Sequence, residues 1–513
     1  MSFPILSVTL FTPLVGALLI LVIPKDDEKT IRRVGTAFAF LTLVLSIIVW
    51  IGVAQADAGT MQWTEEYPWM EAFNVWYRLG VDGLSAPMVF LTALLTTLSL
   101  FYSARTIDLR VKEYYFLFLL LELGMFGVFM SLDLVLFYVF WEIGLVPMFL
   151  LIGVWGGKRR LYAAIKFFLY TLVGSVFMLL AIIGVYFQTG SFSILEIAQY
   201  AAEQPIFNVP TLSMAAFWAF FIAFAIKVPS FPFHTWLPDA HTEAPTSGSV
   251  ILAGVLLKLG AYGLIRITLP FFPRQFHTFS TQIPIIPILA VMSIVYGALV
   301  CMAQWDLKKL IAYSSVAHMG YVTLGLCAAG AGVGMVEGEA LAAAASGLNG
   351  AAMQLFAHGI ITGGLFFLVG IIYERAHTRE LKAFGGLASQ IPYYYGIMMV
   401  TGFASLGLPG LAGFWSEFYV FRGTVYFIPV AAIIGVLGVV FTAAYILWKI
   451  VQYVFLGELD EEKWGWLPDM EWWEKATMWP LVVIMVFLGF YPTPLLTSFN
   501  EAMTALLEKL PLP

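Results

Sequence analysis

Phe224-Ala-Ile-Lys-Val-Pro-Ser-Phe-Pro-Phe-His-Thr-Trp-Leu-Pro-Asp-Ala-His241 is where an apolar helix stops behaving as one. Leu212 to Ile226 is apolar apart from one serine, which suits a membrane span. Lys227 then appears within it, and Pro229, Pro232 and Pro238 follow closely. Proline lacks the N–H and clashes with the preceding turn, so the helix must break. At membrane depth, freed backbone groups are tolerated only where protein or a water cavity satisfies them. A lysine at the centre of a span costs roughly 2.5–3.5 kcal/mol on insertion scales. Costly charge beside irregular backbone marks an ion site in a transporter-like fold. The blander alternative is a lysine snorkelling from a helix end.

The rest of the chain fits a polytopic membrane protein. Of 513 residues, 61% are hydrophobic and only 11% charged, where about 25% charged is usual in soluble domains. The net charge of −6 and the absence of a basic stripe argue against nucleic acid. Cys301 and Cys327 both lie in apolar runs, with no disulfide framework or CxxC pair. The start, Met1-Ser-Phe-Pro-Ile-Leu, lacks a basic signal region and reads as a retained first span.

Apolar runs near 20 residues predict fourteen spans: 4–23, 34–54, 83–103, 113–130, 133–155, 163–187, 212–228, 246–269, 284–303, 309–329, 346–372, 393–420, 427–456 and 477–496. Seventeen lysines and arginines, from Lys25 to Lys475, fall in alternate loops on one side. Arg78, Arg274, Arg422 and Lys509 fall on the other. The basic side is therefore expected in the cytoplasm, with both termini outside. Trp464, Trp466, Trp472 and Trp473 predict an interfacial segment in the last inner loop.

The seventh span breaks at Lys227-Val-Pro. The twelfth breaks at Gly407-Leu-Pro-Gly-Leu-Ala-Gly413, around Pro409 and Gly410. Five spans separate the breaks, which is the inverted-repeat pattern. The predicted fold is all-α, with two inverted five-helix repeats, each holding a broken helix. Its parts are helices 1–3 (1–112), the first repeat (113–270), the second (271–456), and an interfacial loop with helix 14 (457–513).

Mid-span charges supply the candidate chemistry. Glu142 lies midway along its span in Tyr138-Val-Phe-Trp-Glu-Ile-Gly. Facing Lys227 it would form a switchable proton pair; the alternative is a static ion pair, which rarely beats apolar packing. Lys258 lies near the centre of the eighth span, and desolvation can turn a permanent cation into a proton carrier. Glu417 is the only acid of the twelfth span, one turn past its break. It carries protons or pairs structurally. His318 and His358, in adjacent spans, suit a relay or are simply bonded core histidines. A haem between them lacks a second ligand pair. Glu122, Asp133 and Lys166 sit nearer span ends, and Asp133 reads equally as a helix cap. His234 and His241 flank the proline break and either pass protons or bond its freed carbonyls. No P-loop, dinucleotide fingerprint or metal-spaced Cys/His cluster is present, so no cofactor and no metal is expected in this chain.

Four segments carry a family resemblance. They are Phe140-Trp-Glu-Ile-Gly-Leu-Val-Pro-Met, Lys227-Val-Pro-Ser-Phe-Pro-Phe-His-Thr-Trp-Leu-Pro-Asp-Ala-His-Thr-Glu-Ala-Pro, Asp306-Leu-Lys-Lys-Leu-Ile-Ala-Tyr-Ser-Ser-Val-Ala-His-Met-Gly and Leu408-Pro-Gly-Leu-Ala-Gly-Phe-Trp-Ser-Glu-Phe. Over essentially its whole length the chain resembles the antiporter-like membrane subunits of respiratory complex I, NADH-quinone oxidoreductase. The resemblance implies proton translocation driven by quinone reduction elsewhere in the complex. It implies a coupling pair of Glu142 and Lys227, a central Lys258, a relay of His318 and His358, and an exit-half Glu417. It also implies neighbouring antiporter-like chains L and N, with quinone, FMN and iron–sulfur clusters held by partner subunits. An acid at 417 departs from chains L and N, which usually carry lysine there, and the chain end soon after span fourteen departs from chain L. Leu408 stands where relatives often have a second proline, which should alter the break slightly and leave the carboxylate in place. The location implied is the cell inner membrane. The rival readings are a subunit of a multi-subunit Na⁺/H⁺ antiporter and a scaffold bundle in a hydrogenase-type complex.

Overall fold

The structure, a computed structural model, describes residues 3–335 and 337–510. Thirteen of the described helices are long and apolar enough to cross a membrane. One further crossing, the twelfth in chain order, is made by two shorter helices, Pro392–Ser405 and Ala412–Phe427. The seventh span, Pro210–Lys227, ends at the lysine, and a short helix Trp236–Glu243 follows the break. Both breaks thus lie where the proline and glycine clusters place them.

Acidic side chains set several helix starts by accepting N–H bonds left open in the first turn. Asp27 caps the second span, Asp133 the fifth and Asp306 the tenth. The last span starts earlier than predicted, at Trp472, because Glu471 and Glu474 form a reciprocal capping box. It stops at Phe490, where Tyr491-Pro-Thr-Pro intervenes, and a separate helix, Thr493–Leu507, follows. Trp472 and Trp473 therefore belong to this helix and not to the loop. Trp464 is buried, its indole N–H donating to the Ala383 carbonyl at 2.9 Å. Of these four tryptophans, Trp466 and Trp472 remain largely exposed.

An element outside the all-α expectation appears between spans two and three. Strands Gln62–Met70 and Val75–Val81 pair antiparallel, turning at Asn74 in the left-handed region. Their alternating aromatic and polar residues suit a pleated, half-buried surface. Glu65 of this hairpin turns inward and accepts the Leu6 N–H at 2.8 Å, satisfying the start of the first span.

Loop contacts sort into two sides. The hairpin region bonds Ser7, Asp133, Gly190 and Glu501. On the opposite side Arg32 bonds the Ala104 and Ile107 carbonyls, Gly157 bonds Glu243, and Leu307 bonds Arg379. Both ends of the described chain thus lie on the hairpin side, away from the basic loops.

The eleventh span, Gly338–Ala376, runs through the interior. The second half of the twelfth lies directly against it. A Cβ on Gly350 would stand 2.3 Å from the Val420 nitrogen, and one on Gly423 would stand 2.2 Å from that of Gly347. Only glycine permits this approach, and it brings Glu417 up to the eleventh span.

Candidate functional site

The eighth span is the axis of the site. It is wholly buried, and its α-helical hydrogen bonding widens into π turns at Leu252–Leu256 and Leu264–Thr268, on either side of Lys258. Such turns loosen the ladder and recur at functional sites. Lys258 is fully buried. Its Nζ donates to the Ala253 carbonyl at 2.5 Å and meets His358 Nδ1 at 2.6 Å. Among the described residues no carboxylate lies within 4 Å of it. With Nδ1 accepting from Nζ, a neutral His358 carries its proton on Nε2, an atom without a partner.

From His358 the groups continue laterally. The His358 and His318 rings stand 5.6 Å apart. His318 Nε2 meets the Ser405 hydroxyl at 3.1 Å, and Nδ1 lies 3.7 Å from Glu417 Oε1. A cavity of about 10 Å³, close to the size of one water, is lined by His318, Gln354, His358, Ser405 and Glu417. Gln354 accepts a bond from the Ser416 hydroxyl. The twelfth-span break shapes the far end. Gly407 has φ +78°, and a Cβ there would lie 2.5 Å from Glu417 Oε2. Leu408 N–H donates to the Phe403 carbonyl at 3.1 Å, a bond that a proline could not make.

Lys227 and Glu142 form a second group, and they are not in contact. Among the described residues no Glu142–Lys227 pair comes within 4 Å. The Lys227 ammonium sits 4.1 Å above the Trp141 ring, a cation–π contact, and the indole donates to Ser175 at 3.2 Å. Glu142 is half-buried, with one oxygen unpartnered. Among the described residues the static ion pair weighed as the alternative does not form: Lys227 stacks on Trp141, and one Glu142 oxygen is unpartnered. The break beside Lys227, through Pro229 and Pro232, is satisfied by protein. Trp236 donates to the Ile226 carbonyl at 2.9 Å, and Phe231 N–H donates to Ser293 at 2.9 Å. A Cβ on Gly260 would lie 3.0 Å from that of Lys227, so the eighth span abuts this group.

The remaining candidates divide. Glu122 is fully buried, one oxygen accepting from Thr42 at 2.8 Å and the other unpartnered. Asp133 caps the fifth span through Val135 N–H and also accepts from Trp76 N–H. Burial pushes its carboxyl up to about 6 against these bonds. Lys166 pairs with Asp239 at 2.7 Å. His241 stacks on Phe366 at 4.6 Å, and neither of its nitrogens has a partner, so it bonds no freed carbonyl. His234 stacks on Phe231 and meets Tyr296 edge-on.

Three buried cations escaped the sequence reading. Arg266 pairs with Asp82 at 2.5 Å. Lys449 lies over Trp305, 3.0 Å from the ring centre. Lys308, expected in a loop, is buried with Nζ donating to the Ala244 carbonyl at 2.5 Å. Arg266 and Lys449 each interrupt an apolar run, a signal as strong as that of Lys258. Lys308 carried no such signal, because nothing in its local sequence shows what covers it.

Residues 131–442 match the family model described as NADH:quinone oxidoreductase/Mrp antiporter, TM. NADH-quinone oxidoreductase subunit M of Rhodobacter capsulatus is 44% identical over 500 residues, 95% of this chain and 93% of that protein. The subunit M of Rickettsia conorii is 40% identical over 514 residues, 99% of this chain and all of that protein. A chain of respiratory complex I from Thermus thermophilus superposes with a TM-score of 0.83 at 30% identity, covering 98% of this chain and 99% of that one. A chain of the Mrp complex from Dietzia also superposes at 0.83, but at 21% identity it speaks for the fold alone.

Proposed function

The chain belongs to the NADH:quinone oxidoreductase/Mrp antiporter membrane family, and from that premise we propose which of its side chains carry protons. It is an antiporter-like, proton-pumping membrane subunit of NADH-quinone oxidoreductase. The carriers are Lys258, His358, His318 and Glu417, with Glu142 and Lys227 as a coupling group whose charge biases the file. The observation that supports this is the run of buried contacts from Lys258 Nζ through both imidazoles to the Glu417 carboxylate.

Moving one charge through the full membrane potential costs about 2.3 kcal/mol per 100 mV. Successive carriers divide that work into smaller steps. Lys258 hands a proton to His358, whose Nε2–H passes it toward His318 and Glu417. Ser405 and Gln354 orient the middle of the file. Trp141 holds Lys227 between Glu142 and the eighth span, so a change of charge at Glu142 reaches Lys227 without direct contact. Oxidation of NADH and reduction of quinone belong to partner subunits, which hold the quinone, FMN and iron–sulfur clusters.

The same reading places the basic loops in the cytoplasm, both termini on the outer side of the inner membrane, and antiporter-like chains L and N alongside. The breaks at Pro229 and Pro409, five spans apart, support two inverted repeats over 113–270 and 271–456. The test is the intact complex in proteoliposomes. Lys258→Ala and Glu142→Gln should assemble and oxidise NADH while pumping fewer protons per electron. Wild-type pumping in both assembled variants would refute the assignment.

A further inference from the structure

On the side carrying both ends of the described chain, a cavity of about 550 Å³ opens between two surface helices, Ile194–Glu203 and Thr493–Leu507. Its walls include Leu195, Ala198, Ala202, Ala505 and Leu506, and Lys509 is also part of its lining. The Asp82–Arg266 pair lines it as well.

The pair is unequal in what it has left to bond. Asp82 Oδ1 accepts from the Leu84 and Ser85 N–H groups, and Oδ2 accepts from Arg266 Nη2. Both carboxylate oxygens are therefore used. Arg266 is over nine-tenths buried, yet its Nε has no partner. A guanidinium has five donors in a planar fork suited to phosphate, and a buried unpaired donor costs about 1–3 kcal/mol. The surplus on this surface is thus one of N–H donors and positive charge, with Lys509 adding a second cation. Apolar side chains from both helices complete an amphipathic pocket beside them.

We propose that this cavity binds one membrane phospholipid, its phosphodiester held by Arg266 and Lys509 and the start of an acyl chain held between the two surface helices. A phosphodiester brings negative charge to the guanidinium and to Lys509, and an acyl chain suits the leucine and alanine walls. Free inorganic phosphate shares the headgroup chemistry but leaves those walls unfilled. The site lies apart from the proton file, so lipid loss alters local order at this surface and leaves NADH oxidation intact.

The test supplies phosphatidylglycerol with a diazirine near the headgroup, in phosphatidylethanolamine vesicles holding the intact complex. Photolabelling should fall within peptides covering 194–203 and 502–510. Ala505→Phe narrows the cavity between the two helices and leaves the ion pair in place. Labelling should then fall about tenfold, equal to ~1.4 kcal/mol of lost binding, with NADH–quinone turnover unchanged. The double variant Asp82→Asn with Arg266→Gln removes both charges and should lower labelling similarly. Excess unlabelled phosphatidylglycerol should compete, and inorganic phosphate should not. Undiminished labelling in both variants overturns the proposal, and competition by inorganic phosphate equal to that by lipid assigns the site to a free anion and overturns it too.

Discussion

Ser405 shows how a small residue can control a larger group. Its hydroxyl is the partner of His318 Nε2, and Glu417 faces the other nitrogen. Ser405→Ala removes one bond worth about 1 kcal/mol and frees the ring to turn. We expect proton pumping to slow about fivefold at that energy, with Ser405→Thr restoring it, as measured by proton uptake against quinone turnover. Asp133 makes a separate, titratable contribution. Its carboxyl ordinarily titrates near 3.8, and in the fold it titrates near 6 because burial disfavours its charge. The native state therefore holds this proton more tightly than the unfolded chain does. Stability is lost as pH rises from about 4 to about 6, by at most ~3 kcal/mol. Asp133→Asn keeps a capping oxygen and forfeits the Trp76 bond at every pH. The stability difference between wild type and variant should shift in favour of the variant across that interval, in denaturation of the purified complex. A difference that is flat with pH would refute the assignment.

At the scale of elements, the two broken helices and the π turns do the positioning. Gly407 has a backbone conformation that costs other residues about 1–2 kcal/mol, and its missing side chain leaves room for the Glu417 carboxylate. Gly407→Ala should therefore depress pumping as far as Glu417→Gln does, with the complex still assembled on a native gel. The reading of the break as a glycine–proline segment was available in Gly407-Leu-Pro-Gly410. The contact between that segment and Glu417 was not, because it depends on the direction in which the second half of the span leaves the turn. Lys258 teaches the same lesson. Its depth could be counted along the chain, but the π turn before it and its bond to the Ala253 carbonyl could not. Leu408 is a further case, since its N–H bond to Phe403 becomes visible only once the turn is formed.

For the whole molecule, sidedness is the property with the widest consequences. The basic loops bond one another, and the hairpin side gathers both ends of the described chain. With the native Cys301 and Cys327 buried, introduced cysteines report topology cleanly. Lys463→Cys should react with a membrane-impermeant maleimide only from the cytoplasmic face, and Glu71→Cys only from the opposite face. The reverse result would invert the orientation.

The long apolar runs, the two break positions, the distribution of basic residues among the loops and six ionisable groups within apolar runs were legible in the sequence alone. Lipid imposes long apolar runs and makes each interruption costly, so these features are written locally. Which groups meet was decided by tertiary structure. Lys227 stacks on Trp141, whereas Lys258 and His358, a hundred residues apart, touch. The hairpin, the Asp82–Arg266 pair and the burial of Lys308 depend likewise on which helix faces lie together. Hydropathy measures depth along the membrane normal and carries no information about direction around a helix axis.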